Sequence, residues 1–200
     1  MKVKWGGGVM VAMPLEKEET LYTYAEYKDW ELGVGERFEL IYGEVFAMAG
    51  PNERHQSILA ALTNQFFNYL EGKPCKVYPA PFDVRLFYEE DESDDTVVQP
   101  DIMIICDKKK RGPESCRGAP DLVVEILSPS NTAIEMERKF ELYRRAGVKE
   151  YWVIDPESNR LKTYHFEGGN ILTNTFESSN TAQVAIFPDL TINLNRVFAE

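Results

Sequence analysis

The sequence is poor in the residue types that build zinc sites and disulfide frameworks. Its 200 residues include two histidines and three cysteines, which are Cys75, Cys106 and Cys116. An odd number of cysteines, without CxxC spacing or a neighbouring histidine, argues against both kinds of structure. We therefore expect the three cysteines to be reduced and to have structural roles, and we do not expect zinc chemistry.

Long apolar runs are also absent. No stretch approaches the roughly 20 apolar residues that a membrane-spanning helix requires. The N-terminal segment contains three consecutive glycines, then Pro14 and the acidic run EKEE, and this composition differs from that of a secretory signal. These features predict a cytoplasmic protein without a membrane partner.

Positive charge is scarce as well. The chain has 22 Lys and Arg against 33 Asp and Glu, a formal net charge of −11 at pH 7. A surface of that sign repels the phosphate backbone of nucleic acids. Six of the acids lie within residues 89–95, a segment without hydrophobic pattern that is typical of a solvated loop. The unfavourable charge outside this loop is therefore moderate.

The length and the apolar content predict one domain. Two hundred residues with 44% hydrophobic side chains are enough to bury a substantial core. Residues 1–20 have the character of a poorly ordered lead-in, and we expect a single domain over residues 21–200. We find no internal repeat and no linker between domains.

Hydrophobic periodicity predicts a mixed α/β (α+β) fold. In the middle of the chain the order is α-β-β-β-α-β, which predicts a mixed central sheet flanked by helices, with an extra N-terminal hairpin and C-terminal strands. The predicted helices cover residues 23–30, 52–71 and 132–146. The predicted strands cover residues 37–41, 44–48, 82–88, 97–106, 121–127, 150–155 and 160–166, with one or two more within 184–194.

Two acidic residues interrupt apolar strands. Glu125 lies within DLVVEILSPS and Asp101 within VVQPDIMIIC, and their separation of 24 positions (125 − 101) allows the two strands to be neighbours. Two buried carboxylates repel each other unless a proton or a cation lies between them. Mg²⁺ favours one or two carboxylates and keeps waters for a phosphate substrate. Alternatively, either acid caps a turn or pairs with an arginine, namely Arg85, Arg117 or Arg138.

Several motifs together resemble the Uma2 family. They are QPD (99–101), VEILSPS (124–130), Lys139, Tyr143, GVKEYWVIDP (147–156), YGEV (42–45), His55 and the terminal FPDLTINL. This family, once catalogued as a domain of unknown function, is related to restriction endonucleases of the PD-(D/E)XK superfamily. The resemblance runs from about Tyr24 to Phe198 and implies a restriction-endonuclease-like fold.

The resemblance also implies a metal site and a reaction. Asp101, Glu125 and the backbone carbonyl of Ile126 would hold Mg²⁺, with Mn²⁺ as a possible substitute, beside a scissile phosphodiester, most often of DNA. Leu127 stands where the superfamily usually has its lysine, and the resemblance implies that Lys139 on the following helix replaces it. The alternative for Lys139 is a surface ion pair with Glu135.

Three further residues have weaker assignments. Glu44 in YGEV aligns with an acid near the family's site, but an acid in a hairpin is often only solvated. Glu135 stands where the family usually has Asp, and with Thr132 it also matches a capping box. His55 has a capping role or a supporting role near the site.

Two rival functions remain open from the sequence. Leu127 and the net charge favour a catalytically inactive module that keeps the fold and binds a protein or a nucleic acid. The sequence gives less support to the hypothesis of a glycosidase that uses Asp101 and Glu125 as acid and base, because no aromatic platform for a sugar is evident. For the nuclease we expect weak, salt-sensitive binding to DNA, and we expect a homodimer.

Overall fold

The computed structural model describes residues 20–30 and 36–199, so almost all of the lead-in predicted for residues 1–20 lies outside the described residues. The helices are α1 (Tyr24–Tyr27), α2 (Glu53–Leu70), α3 (Ala133–Ala146) and α4 (Leu194–Val197), with a 3-10 turn at Lys108–Lys110. The strands are β1 (Phe38–Ile41), β2 (Glu44–Ala47), β3 (Lys76–Pro79), β4 (Asp83–Arg85), β5 (Val97–Val98), β6 (Ile102–Ile105), β7 (Ser115–Arg117), β8 (Leu122–Ile126), β9 (Glu150–Asp155), β10 (Arg160–Glu167), β11 (Asn170–Glu177), β12 (Thr181–Gln183) and β13 (Thr191–Asn193).

A six-stranded mixed sheet forms the centre of the fold, with the order β11-β10-β9-β8-β6-β3. Strands β8 and β9 are parallel, and the other pairs are antiparallel. Along the chain, α2, β3, β6, β8, α3 and β9 give the predicted α-β-β-β-α-β order. The predicted fold class, a mixed sheet flanked by helices, is thus confirmed.

One of the three middle strands was assigned to the wrong residues. The first strand of the trio is β3 (Lys76–Pro79), whereas the predicted strand at 82–88 is reduced to β4 and belongs to a second sheet. Strand β3 is a four-residue edge strand that is partly exposed and ends in proline. Such a strand has too few buried positions to show the alternating pattern on which the prediction depends.

The second sheet has five strands in the order β2-β1-β5-β4-β7, and the sequence did not predict it. The strand predicted over 97–106 divides between the two sheets, because β5 joins the second sheet and β6 joins the central one. The break falls at Gln99, Pro100 and Asp101, where proline has no amide hydrogen to donate to a ladder. Asp101 therefore lies where the chain passes from one sheet to the other.

The predicted N-terminal hairpin is present and supplies the outer strands of this second sheet. Tyr42 and Gly43 connect β1 to β2 with φ of 52° and 81°. Positive φ at both central residues is typical of the two-residue turns that fit twisted strands. The resulting register places Glu39 directly opposite Phe46.

The central sheet is buried on both faces, which explains the almost uninterrupted apolar run of β8. Leu122, Val124 and Ile126 belong to the core cluster that includes the buried residues of α2. Val123 belongs to the cluster on the opposite face, which includes Leu142 and Tyr143 of α3. Glu125 alternates with these residues and lies on the face covered by α3.

The prediction of three reduced cysteines is wrong for two of them. Cys75 and Cys106 form a disulfide across a sequence separation of 31 residues. They flank the paired strands β3 and β6, and the register Lys76↔Ile105 places them opposite each other. Cys116 is free and buried, as expected of a structural cysteine.

The C-terminal part contains more β-structure than the sequence predicts. Strand β11 was missed, because nearly all its residues are exposed and it lies at the sheet edge. The late strands form a two-stranded sheet, β12 with β13, and α4 follows directly. None of the helices in the described ranges combines the length and the apolar character needed to cross a membrane.

Candidate active site

A cavity of about 410 Å³ opens where the hairpin, the two sheets and the first turns of α2 and α3 meet. Its lining includes residues 46–51 of β2 and the following segment, Ser128, Ser130 and Asn131, and residues of α3. The charged and titratable residues that line the cavity are Arg37, Glu39, His55, Asp101, Glu125, Glu135, Arg138 and Lys139.

Asp101, the residue before β6, lies beside Glu125 of β8. Strands β6 and β8 are antiparallel with Ile102 opposite Val124, so the next pair in this register is Asp101 and Glu125. Asp101 Oδ2 accepts a 2.7 Å hydrogen bond from the Ile126 amide. The spacing in sequence therefore placed both carboxylates correctly on adjacent elements.

Lys139 connects the acids of the two sheets. Its Nζ donates hydrogen bonds of 3.0 Å to Glu125 Oε1 and of 3.0 Å to Glu39 Oε1. The Tyr143 hydroxyl donates to the same Glu125 oxygen at 2.5 Å. Lys139 and Tyr143 are four residues apart on α3, which places them on one helix face. Glu125 Oε2 receives no hydrogen bond from the described residues and is the oxygen available to a ligand.

Burial and charge perturb the titration of this cluster. Burial, together with the charges of Glu39 and Asp101, outweighs Lys139 and raises the pKa of Glu125 to about 7. Burial alone would lower the pKa of Lys139, but the carboxylates of Glu125 and Glu39 raise it above its ordinary value. Lys139 is consequently a fixed cation at neutral pH.

Glu39 is the acid that sequence reasoning missed, and Glu44 is the acid that it chose instead. Glu44 is exposed on β2 and does not line the cavity, whereas Glu39 is buried, lines the cavity and contacts Lys139. Glu39 Oε1 also accepts from the Gln99 amide at 3.1 Å. The signal was available, because Glu39 interrupts the apolar strand FELI in the same way as Glu125 interrupts LVVEI.

The two remaining predicted site residues, Glu135 and His55, lie near the start of α3 and α2. Glu135 forms the capping box with Thr132, through hydrogen bonds of 2.7 Å and 3.2 Å between each backbone amide and the other side chain. It does not pair with Lys139, although it lines the cavity. His55 is not the cap of α2, because Asn52 accepts from the His55 amide at 2.8 Å.

The His55 side chain contacts Asp101 instead. Its Nε2 lies 3.2 Å from Asp101 Oδ1, and its Nδ1 is buried without a hydrogen-bond partner among the described residues. The contact places the ring beside the carboxylate that the Ile126 amide also holds. Both interactions restrict the orientation of Asp101.

The donor set fits a hard cation better than a soft one. No group of three or more His, Cys, Asp or Glu within the described part of the chain has the arrangement of a metal centre built from side chains alone. Mg²⁺, however, uses one or two carboxylates and completes its octahedron with water or substrate oxygens. Asp101 and Glu125 supply those two carboxylates, and the Ile126 carbonyl is the adjacent backbone oxygen.

The fold of this chain is similar to that of a solved structure. A crystal structure described as "a putative nuclease belonging to DUF820" from Anabaena variabilis matches with a TM-score of 0.71. The match covers 89% of this chain and 98% of that one at 18% sequence identity. The chain thus has the fold of that structure.

Sequence comparison then identifies the family. The model of the Uma2 family, described as "Putative restriction endonuclease", matches residues 24–195, and the chain belongs to this family. Two uncharacterized proteins of Synechocystis sp., slr1290 and sll1609, are similar to it. The first is 27% identical over 161 residues, which cover 80% of this chain and 82% of that protein. The second is 28% identical over 151 residues, which cover 74% and 82%.

Proposed function

We propose that this protein is a Mg²⁺-dependent endonuclease that hydrolyses phosphodiester bonds of DNA. One observation carries the proposal: Asp101, the residue before β6, continues the register that pairs β6 with β8 and so lies next to Glu125, and Lys139 contacts Glu125 within the same cavity. The family description and the nuclease-like fold support the same reaction class. The resemblance implies a shared site for these three residues, and their proximity in the structure supports the proposal.

In this proposal Asp101, Glu125 and the Ile126 carbonyl hold the metal ion, with Mn²⁺ as a substitute. The bound ion would supply Lewis acidity to the phosphate and lower the pKa of a bound water. Asp101 is kept in position by the Ile126 amide and by His55. Glu39 Oε1 accepts hydrogen bonds from Lys139 and from the Gln99 amide, so in this proposal Glu39 positions Lys139.

Lys139 acts as a cation and not as a base. The carboxylates of Glu125 and Glu39 raise the pKa of Lys139, which favours its ammonium form. A fixed positive charge stabilises negative charge that develops on the phosphoryl oxygens in the transition state. Glu39 and Tyr143 hold the ammonium and the Glu125 carboxylate in a fixed relation.

The acidic composition limits affinity for DNA without excluding it. Helix α3 carries Arg138, Arg144 and Arg145 in addition to Lys139, although Arg144 is paired with Glu141 at 2.6 Å. Few free cations predict weak binding, which declines further as the salt concentration rises. A homodimer, which we include in the proposal, would present two cavities to one DNA molecule.

The direct test is incubation of the pure protein with plasmid and with short single-stranded DNA, in Mg²⁺ or Mn²⁺. We expect cleavage by the wild type and its loss in Lys139→Ala and Asp101→Ala. Lys162→Ala is the matched control, since Lys162 is exposed on β10. Cleavage that Lys139→Ala retains at the wild-type rate would overturn the assignment, and EDTA must abolish the reaction.

A second candidate is supported by the way in which Lys139 already neutralises the acids. Its contacts with Glu125 and Glu39 satisfy part of the buried charge without a metal ion, and Leu127 stands at the usual lysine position. An inactive module that binds nucleic acid or protein would keep this arrangement. Thermal denaturation separates the two candidates: a metal site is stabilised by Mg²⁺, and Asp101→Ala removes the effect.

A further inference from the structure

Next to the carboxylate cluster, the cavity wall carries an arginine stacked on an aromatic ring. The guanidinium carbon of Arg138 lies 4.4 Å from the centre of the Phe46 ring, and both residues line the cavity. Phe46 is directly opposite Glu39 in the register of β1 and β2, and Arg138 precedes Lys139 on α3. The stack therefore adjoins both residues that form the Glu39–Lys139 ion pair.

Two guanidinium groups at this cavity have no carboxylate partner within the described part of the chain. They belong to Arg37 and Arg138, whereas Arg85 and Arg160 pair with acids elsewhere in the fold. In a chain with a net charge of −11, acids are abundant, and yet no acid among residues 20–30 and 36–199 forms an ion pair with either of these two cations. Guanidinium groups bind phosphate through paired N–H donors, so the arrangement favours a phosphate-bearing ligand.

The charged side chains of the Lys139 cluster are largely buried. The side chains of Lys139 and Glu39 are 15% and 5% exposed, and that of Asp101 is 13% exposed. A cavity of about 410 Å³ has the size of a small-ligand site. DNA duplexes are stiff, with stacked bases inside and phosphates on the outer surface. A nucleotide that is free of the stack reaches a recessed cluster without the energy of unstacking.

We propose that the cavity takes an unpaired nucleotide of single-stranded DNA, with its base against the Phe46–Arg138 stack and its phosphates beside Arg37 and Arg138. This inference rests on the proposed nuclease function for the choice of DNA, and it specifies that the strand is single. Aromatic rings and guanidinium planes both accept the face of any base. Selection is therefore by the unpaired state of the nucleotide and not by its sequence.

The test measures binding in EDTA, where cleavage does not interfere. A fluorescein-labelled oligonucleotide, alone and annealed to its complement, is titrated with the intact chain and followed by anisotropy. We expect the single strand to bind about tenfold more tightly than the duplex, and Phe46→Leu to lose about that factor, the typical contribution of one stacked base. Phe67→Leu, on an exposed residue of α2, is the matched control.

Further variants distinguish the effect of base stacking on DNA binding from the effects of misfolding and of lost positive charge. Phe46→Tyr keeps the ring and is expected to bind as the wild type does. Arg138→Gln is expected to weaken binding and to reduce the slope of log K against log salt by about 0.7, the share of one phosphate contact on a single strand. Arg196→Gln, at an exposed position of α4, should change neither quantity.

The outcomes distinguish this inference from the proposed function. Equal affinity for duplex and single strand, or wild-type binding by Phe46→Leu, overturns the inference, even if Mg²⁺-dependent cleavage is observed. Conversely, a preference for single strands that depends on Phe46, in a protein that never cleaves DNA, removes the nuclease proposal and keeps the nucleotide site. Faster cleavage of duplex than of single-stranded DNA also contradicts the inference.

Discussion

Replacing Lys139 by methionine tests the electrostatics of the cluster without any assumption about catalysis. The substitution keeps most of the side-chain volume and removes the ammonium that bonds Glu39 and Glu125. Breaking a buried ion pair from one side leaves an uncompensated charge, which typically destabilises by about 3–5 kcal/mol. For a domain of this size each kcal/mol lowers Tm by about 2–4 °C, so we expect a decrease of roughly 6–20 °C at pH 8.

The loss of folding stability in Lys139→Met must also depend on pH. The titration of Glu125 determines whether this loss grows or shrinks as the pH rises. A carboxyl whose folded-state pKa is raised binds its proton more tightly in the folded state, so the fold gains stability as the pH falls. The pKa of Glu125 is already raised to about 7 by burial, and removal of Lys139 raises it further. Lys139→Met should therefore be closer to wild-type stability at pH 5.5 than at pH 8.

Urea denaturation at both pH values measures the effect, with Lys162→Met as the control for loss of an exposed lysine. The control is expected to stay within about 0.5 kcal/mol of the wild type, as surface substitutions usually do. A Lys139→Met protein that loses less than about 1 kcal/mol at pH 8, well below the usual effect of a broken buried pair, would refute the reasoning. A loss of equal size at pH 5.5 and pH 8 would refute it as well.

Three further predictions concern the metal, the acids and the disulfide. Asp101→Asn should abolish the increase in Tm that saturating Mg²⁺ gives the wild type, measured by differential scanning fluorimetry; an unchanged increase would place the metal elsewhere. Glu39→Gln should reduce DNA cleavage by at least about tenfold through loss of Lys139 positioning, the change that about 1.4 kcal/mol produces, whereas Glu44→Gln should cleave normally; the opposite result would restore the sequence prediction. Reduction of the Cys75–Cys106 disulfide should lower stability by about 3–4 kcal/mol, from the entropy of closing a loop of 31 residues, and urea denaturation with and without dithiothreitol measures the difference.

The sequence predicted the central fold because its signals are local. Helices α2 and α3 have apolar periodicity over several turns, and β8 has a continuous apolar run, so each could be recognised without its neighbours. The second sheet depends on pairings between distant residues, such as Val84 with Val98 and Asp83 with Ser115. Strands of two or three residues contain no period, and their partners follow only from the tertiary structure.

For the candidate site, too, a local sequence pattern identifies some residues, whereas their roles depend on tertiary contacts. An acid inside an apolar strand identified Glu125, and the same rule applied to FELI would have identified Glu39. The rule does not identify function, however. Glu150 also interrupts buried residues, and its carboxylate is satisfied by the Trp152 indole and by the amides of Ala185 and Ile186. Only the contacts separate a structural acid from one that faces a cavity.

The charge balance of the cluster links its stability to its proposed chemistry. Glu39, Asp101 and Glu125 carry three negative charges when ionised, and Lys139, which bonds Glu39 and Glu125, supplies one positive charge, so these four groups together have a net charge of −2. Uncompensated charge of this kind is unfavourable, and a proton or a cation relieves it. The raised pKa of Glu125 is the response through protonation. A divalent cation between Asp101 and Glu125 would balance these two charges, which supports the proposal that the cluster that limits stability at high pH also holds Mg²⁺.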